Sequence, residues 1–288
     1  MAIRAGFVGL GLMGMPMARW LVTRGFETTV FDVVPAAVEA LVAAGARGAR
    51  SASEVAAAAD VVGVCVRDDA DVRDVVLGDD RGLLAGAAPG AVIALHSTIL
   101  PRTVTEVAAV AAARGVGVVD ACITGGVAGA EAGTLTYIVG GDPAHLERCR
   151  PAFATSAAQI VHTGALGTGA ATKLCNNLMT YLGFLAAFEA TLLARRSGLS
   201  LEALEAVTGA NGNLTEQMRR FLVLHRLPAE QRREAGFQQM VGAYTTLAEK
   251  DLAVTLAFAR EHGVALPGTA LCQQLMARVY GFEDENRR

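Results

Sequence analysis

Between Ile3 and Asp32 the chain places an apolar run, a glycine turn, a helical stretch and a second apolar run in one tight succession. Ile3 to Val8 reads as a short buried strand. Gly9-Leu10-Gly11-Leu12-Met13-Gly14 is the turn, and Pro16 to Arg24 is a helix stopped by Gly25, a common residue just past a helix end. Glu27 to Phe31 is a second strand, closed by Asp32. A G-x-G-x-x-G turn alone is weak evidence. Here it follows a strand, opens a helix and is answered by an acid at the end of the next strand, which is the context the pattern requires. Gly9 permits the tight turn, Gly11 lets a pyrophosphate approach the backbone, and Gly14 lets the helix pack close to the strand. Leu12 and Met13 complete the turn, and the helix N-terminus offers N–H groups and positive dipole to phosphates. Asp32, 18 residues beyond Gly14, can accept hydrogen bonds from ribose hydroxyls and repels a 2′-phosphate. Val33 and Val34 supply no cation to grip such a phosphate. The segment predicts a dinucleotide site that favours NAD over NADP.

The same rhythm continues. Helices are expected around Pro35–Ala44, Ser53–Ala58, Asp69–Val76 and 101–114, with strands at Val61–Val66, Ala91–Leu95 and Gly117–Asp120. Alternation of this kind predicts an α/β fold with a doubly wound, mostly parallel sheet. Leu135–Val139 adds a strand, Pro143–Phe153 a helix and Ile160–His162 a last short strand. Beyond them strand signals almost vanish. Ala170 to Arg196 reads as one long helix, and the rest is helical with Gly and Pro breaks up to a charged tail, Glu283–Arg288, expected to fray. The expected division is a nucleotide-binding domain over 1–163 and an all-helical domain over 164–288, for substrate and oligomerisation.

Composition narrows the function. A net charge of −3 over 288 residues gives no basic footprint for nucleic acid. Every apolar stretch meets polar residues before about 18 positions, so no membrane span is expected. The start, Met1-Ala2-Ile3-Arg4, enters the first strand at once, so no signal peptide is expected and a cytoplasmic location is. Cys65, Cys122, Cys149, Cys175 and Cys272 show no C-x-x-C spacing, and the histidines form no ligand pair. No metal site is expected.

Three more segments carry candidate chemistry. Asp120-Ala121-Cys122-Ile123-Thr124-Gly125-Gly126 ends a strand with a hydroxyl, two glycines and a helix start, whose N–H groups can hold a carboxylate. Lys173 and Asn177 are four apart, on one face of the long helix near its start. Glu249-Lys250-Asp251 interrupts an apolar helical pattern and fits either a site or a solvated face. His96, before Ser97-Thr98, reads as a buried structural histidine.

Taken with the opening turn, these segments resemble the β-hydroxyacid dehydrogenase family, which includes 3-hydroxyisobutyrate dehydrogenase and tartronate semialdehyde reductase. The resemblance covers nearly the whole chain. It rests on Gly9 to Ala18, on Cys65-Val66-Arg67-Asp68 in place of a Met-Leu-Pro-Asp/Asn segment, on Ser97-Thr98, on Asp120 to Gly141, on Lys173 with Asn177, and on Lys250-Asp251-Leu252. It implies a Rossmann domain followed by a helical domain, and hydride transfer between NAD and the hydroxyl carbon of a small 3-hydroxy acid. Cys65, Val66 and Thr98 would line the cofactor. Thr124, Gly125 and Gly126 would bind the substrate carboxylate, and Lys250 would touch cofactor or substrate. Lys173 would be the general acid/base, helped if burial brings its pKa toward neutrality, with Asn177 fixing geometry. Relatives suggest a homodimer or homotetramer.

The chain also departs from the family pattern. Thr124 replaces Ser and Cys122 replaces Pro, which is expected to loosen a turn there. Val241 stands where an aromatic is usual. These changes predict retained chemistry in an altered substrate pocket. Alternatives are a reductase of a small semialdehyde on the same scaffold, an imine reductase, disfavoured by Lys173 and Asp32, 6-phosphogluconate dehydrogenase, disfavoured by the short helical part, and a non-catalytic dinucleotide-binding module, disfavoured by the retained lysine.

Overall fold

The computed structural model describes residues 3–284. Residues 285–288 of the charged tail lie outside them. Contacts divide the chain into two compact units, Met1–Lys173 and Leu174–Arg288. The family resemblance and strand pattern put the boundary at 163/164, before the long helix, whereas the contact division falls inside it.

The first unit is built on β1 (Ala5–Val8), β2 (Thr28–Phe31), β3 (Arg47–Gly48), β4 (Val61–Val64), β5 (Val92–Leu95), β6 (Gly117–Thr124), β7 (Leu135–Gly140) and β8 (Ala157–Gly164). They form one eight-stranded sheet in the order β3-β2-β1-β4-β5-β6-β7-β8. Pairing is parallel throughout except between β6 and β7. The helices are α1 (Gly14–Thr23), α2 (Pro35–Ala43), α3 (Ala52–Ala57), α4 (Asp69–Leu77), α5 (Leu83–Gly86), α6 (Pro101–Ala112), α7 (Gly126–Ala132) and α8 (Pro143–Phe153).

Two cores, one on each face, explain why the strands are apolar at nearly every position. Side chains alternate along a strand, so Val92 and Ala94 of β5 join one core while Ile93 and Leu95 join the other. The first core takes Met17 and Leu21 from α1, Leu41 from α2 and Phe153 from α8. The second takes Val55 from α3, Val72 and Val76 from α4, and Val104 and Val107 from α6. This is the doubly wound Rossmann arrangement. The strand order reverses between β1 and β4, the switch point at which such sheets bind ligands beyond the strand ends.

Two local expectations need correction. Cys122 loosens no turn: β6 runs on to Thr124, and Cys122 pairs with Ile138 of β7 inside the ladder. The glycine pair after Thr124 made the segment read as loop too early. The last strand covers Ala157–Gly164 rather than three residues, because it follows β7 along an edge that needs no apolar alternation.

A 29-residue helix, α9 (Thr168–Arg196), runs from the first unit into the second. The second unit continues with α10 (Leu201–Ala210), α11 (Glu216–Val223), α12 (Ala229–Arg233), α13 (Ala235–Glu261) and α14 (Pro267–Tyr280), with no strand among its described residues. Its core gathers Phe184, Phe221, Val241, Leu252, Met276 and Tyr280. Phe184 and Phe221 stack at 4.5 Å between ring centroids. An 18-residue stretch of α9 reaches a mean hydropathy of 1.3, so by length and composition alone this helix is apolar enough to cross a membrane. The expectation of no span counted its polar interruptions, which averaging hides.

Candidate active site

The glycine turn sits where β1 meets α1, at the switch point. Its three glycines have different causes. Gly9 has φ +91, and a Cβ there would lie 2.3 Å from the Cys65 carbonyl oxygen. A Cβ on Gly14 would lie 1.9 Å from the Gly9 carbonyl oxygen. Both glycines are therefore required by the protein itself. Gly11 is required by neither conformation nor packing, because its φ is ordinary and a Cβ would meet nothing within 4 Å. The bare backbone at Gly11 is the space a pyrophosphate would fill. Met13, at the N-cap of α1, makes no side-chain capping bond, and the first turn holds no acid to compete with an anion. Leu12 is exposed, and Met13 is half-buried beside it.

Asp32 fastens this turn. Its Oδ2 accepts the Leu10 N–H at 2.5 Å and its Oδ1 accepts the Val34 N–H at 2.8 Å. Each carboxylate oxygen keeps a further lone pair, so ribose hydroxyls can still be bound. Cys65 and Val66 follow β4. The Cys65 N–H donates to the Val8 carbonyl at 2.9 Å, next to the turn. Ser97 clamps Val66 from both sides: its Oγ accepts the Val66 N–H at 2.9 Å and donates to the Val66 carbonyl at 2.8 Å. Thr98 comes next and is half-buried. His96 is buried and stacks on Phe7. Its Nδ1 lies 2.7 Å from the Ala121 carbonyl, which can only accept, so Nδ1 carries the proton. Burial pushes its pKa down to about 4, so the ring is a neutral structural group.

Thr124 ends β6, and Gly125 and Gly126 follow with φ of 132 and 66. Trp20 of α1 ties this loop to the helix that follows the glycine turn. Its indole N–H donates to the Ala130 carbonyl of α7 at 3.0 Å.

Asp120 holds the start of α9. It is wholly buried, and its Oδ1 and Oδ2 accept the N–H groups of Gly167 at 2.9 Å and Ala170 at 2.7 Å. Burial pushes this carboxyl up, and the backbone donors pull it back. The contact is so close that a Cβ on Gly169 would lie 2.8 Å from the Asp120 carbonyl oxygen. Lys173, half-buried, follows one turn later on α9.

In the second unit, Asn177 of α9 is buried and donates from Nδ2 to Asp251 Oδ2 at 2.7 Å. The Tyr181 hydroxyl donates to the same oxygen at 3.2 Å. The Lys250 ammonium lies 2.7 Å from Asp251 Oδ1, an ion pair rather than a directed hydrogen bond. Glu249-Lys250-Asp251 is therefore not a solvated face, since Asp251 is 3% exposed.

Sequence reasoning missed three roles here. Ser97 and Asp120 stood in motifs already noted, but their partners are backbone groups 31 and 47 residues away, invisible to spacing. Tyr181 was within reach, since Lys173, Asn177 and Tyr181 form an i, i+4, i+8 stripe on one helix face. Among the described residues no three His, Cys, Asp or Glu side chains gather as a metal site would need.

The chain is similar to known proteins along nearly its whole length. Residues 4–164 match the NAD binding domain of 6-phosphogluconate dehydrogenase, and residues 167–286 match the NAD-binding domain of NADP-dependent 3-hydroxyisobutyrate dehydrogenase. An NAD-dependent L-serine dehydrogenase of Pseudomonas aeruginosa is 43% identical over 201 residues, 70% of this chain and 67% of that protein. The 3-hydroxyisobutyrate dehydrogenase of the same organism is 38% identical over 275 residues, 94% of this chain and 90% of that one. A solved 3-hydroxyisobutyrate dehydrogenase of Mycobacterium tuberculosis, with L-serine, superposes with a TM-score of 0.82 at 33% identity, covering 98% of this chain and 94% of that chain. The chain belongs to the β-hydroxyacid dehydrogenase family of NAD(P)-binding oxidoreductases.

Proposed function

We propose that this protein is an NAD-dependent dehydrogenase that oxidises the hydroxyl carbon of a small 3-hydroxy acid, with Lys173 as general acid/base. The observation that carries the reading is the glycine turn with an unobstructed Gly11 and an adjacent Asp32, joined in one chain to Lys173 at the start of α9.

NAD held there would accept a hydride, and the protein's own residues do the rest. Gly9 to Gly14, Cys65, Val66 and Thr98 would hold the dinucleotide. Asp32 would take the ribose hydroxyls and disfavour a 2′-phosphate. Thr124 Oγ1 and the N–H groups of Gly125 and Gly126 would orient the substrate carboxylate. Neutral Lys173 would take the hydroxyl proton during oxidation, and its ammonium would return it in reduction. The lysine charge that results offsets a developing alkoxide without a metal. Lys250, a quarter exposed, sits beside Asn177's partner and would reach substrate or cofactor from there.

Two relatives narrow the substrate to try first. One is described as acting on L-serine and another on 3-hydroxyisobutyrate, and both compounds carry a hydroxyl on the third carbon. Self-association as a dimer or tetramer is supported by exposed apolar side chains, Met179 and Leu193 on α9 and Val207 on α10. A reducing, cytoplasmic setting fits five cysteines that form no disulfide.

The test is a rate comparison with NAD and NADP over 3-hydroxyisobutyrate, L-serine, 3-hydroxypropionate, glycerate, 4-hydroxybutyrate and threonate. The reading expects turnover of at least one 3-hydroxy acid with NAD preferred. Turnover of none, or a clear preference for NADP, contradicts it.

A further inference from the structure

The glycine turn is rimmed by two side chains whose exposure its backbone does not explain. Val33, just past Asp32, is 85% exposed, more than any other large apolar side chain among the described residues. Leu12 and Val34 are exposed as well, so three of the six such side chains described in the first unit belong to this one turn and the strand end beside it. Apolar surface gathered in this way marks a binding site. On the other side stands Arg67, where the family pattern has proline. Its side chain is 85% exposed, yet it is no loose cation. Nε donates to Asp71 Oδ2 at 2.7 Å and Nη2 to Asp71 Oδ1 at 2.8 Å, a bidentate fork. The Arg67 N–H adds a bond of 3.3 Å to Oδ2, and the Asp71 N–H donates to Asp68 Oδ1 at 3.0 Å. The fork fixes the guanidinium plane and neutralises its charge. Bonds in that plane occupy the edge of the group and leave its flat faces for stacking.

The strands set these two features on either side of one gap. Val8 of β1 pairs with Phe31 of β2 and with Val64 of β4, so the ends of β2 and β4 lie about 10 Å apart, two strand spacings. Val33 follows the end of β2 and Arg67 follows the end of β4. Val66, next to Arg67, reaches the turn itself: a Cβ on Gly9 would lie 3.0 Å from Val66 Cγ1. A flat ring in contact on both faces needs about 7–8 Å, so the spacing admits one ring.

We propose that the guanidinium face of Arg67 and the side chain of Val33 hold the adenine of the dinucleotide between them, by its faces rather than by its edges. The inference rests on the reading of the glycine turn as the cofactor site. Asp32 at the ribose hydroxyls puts the attached base beside Val33. An aromatic ring lies well on a guanidinium plane, and against a valine it buries apolar surface. Because Asp71 already neutralises Arg67, the group offers little to a 2′-phosphate, which suits NAD rather than NADP.

Affinity is the direct test, measured by calorimetry on the full chain. Arg67→Ala should weaken NAD binding about tenfold. Arg67→Lys keeps the charge but not the plane, and should weaken it about as much. ADP-ribose, which carries the adenosine and the pyrophosphate without nicotinamide, should lose the same factor in both variants. Val33→Ala should weaken NAD about threefold. All three variants should melt with the unaltered protein, since both side chains are exposed. NAD affinity unchanged in Arg67→Ala overturns the proposal. So does an Arg67→Lys variant that binds like the unaltered protein, because charge and not the plane would then hold the ligand.

A second readout alters the ligand instead of the protein. Nicotinamide hypoxanthine dinucleotide keeps the flat faces of the base and changes its edge, with an oxygen in place of the amine. It should bind the unaltered protein within about threefold of NAD, because stacking is tolerant of edge chemistry. A loss of about tenfold or more would mean that the edge is read, and would overturn the proposal. An unaltered protein that binds neither NAD nor ADP-ribose defeats the cofactor reading itself, whereas sound NAD binding that ignores Arg67 defeats only the stacking role.

Discussion

At the glycine turn, six consecutive residues offer a ligand mostly backbone, and the side chains that matter are the ones left out. Around Asp251, four side chains build a polar cluster, and two of its partners, Asn177 and Asp251, are 74 residues apart. The turn is made by conformation and close approach. The cluster is made by burying charge and satisfying it. A backbone site tolerates no added atom at its tight points but leaves its ligand-facing point open. A side-chain cluster tolerates atoms of the right shape but demands the right pattern of donors and acceptors. The two regions should therefore fail in different ways when altered.

Within the turn, Gly14→Ala and Gly11→Ala should separate most widely. The first drives a methyl into the Gly9 carbonyl oxygen and should lower stability by about 3–4 kcal/mol, read by denaturant melts. The second should leave stability within about 0.5 kcal/mol yet weaken NAD binding at least about tenfold. Equal losses of stability would erase the distinction between protein-required and ligand-required glycines.

Asp120→Ala extends the comparison to the start of α9. It strands two buried backbone N–H groups, at Gly167 and Ala170, and should cost about 2–4 kcal/mol. A melt unchanged within error would show that α9 does not depend on this cap.

Asp32→Asn sharpens the cofactor side. The amide can keep one of the two backbone bonds but no longer repels a 2′-phosphate. NAD affinity should fall about tenfold while NADP affinity falls less or rises. An unchanged NAD to NADP ratio would take the discrimination away from Asp32.

His96 gives the smallest effect. Its pKa is depressed from 6.5 to about 4 in the fold, so the unfolded chain binds the proton more tightly between those values. The contribution is fully present above about pH 6.5 and is lost as pH falls toward about 4. At about pH 5.5 the loss should be about 1 kcal/mol, and His96→Phe should flatten that acid slope. A slope unchanged in the variant would place the acid sensitivity elsewhere.

The same contrast explains what was legible in the sequence. The βαβ opening, the alternating strands and the long helix could be read because each is encoded within a few tens of contiguous residues. Lys173 and Asn177 could be read because helical spacing puts them on one face. The antiparallel β7 and the run of β6 through Cys122 to Thr124 could not, since strand direction depends on which partner an edge finds. Nor could the burial of Asp251, because a charged residue in an apolar helix declares its exposure only once its partners arrive from another helix. The glycines declared their presence but not their causes. Only the neighbouring atoms distinguish Gly9 and Gly14 from Gly11.

Binding and chemistry should divide along the same line, and one variant measures that division directly. Lys173→Ala should bind NAD with the affinity of the unaltered protein, followed by fluorescence quenching. It should lose turnover of the preferred 3-hydroxy acid by about a thousandfold or more. Turnover at the unaltered rate, or NAD affinity lost together with activity, would contradict it.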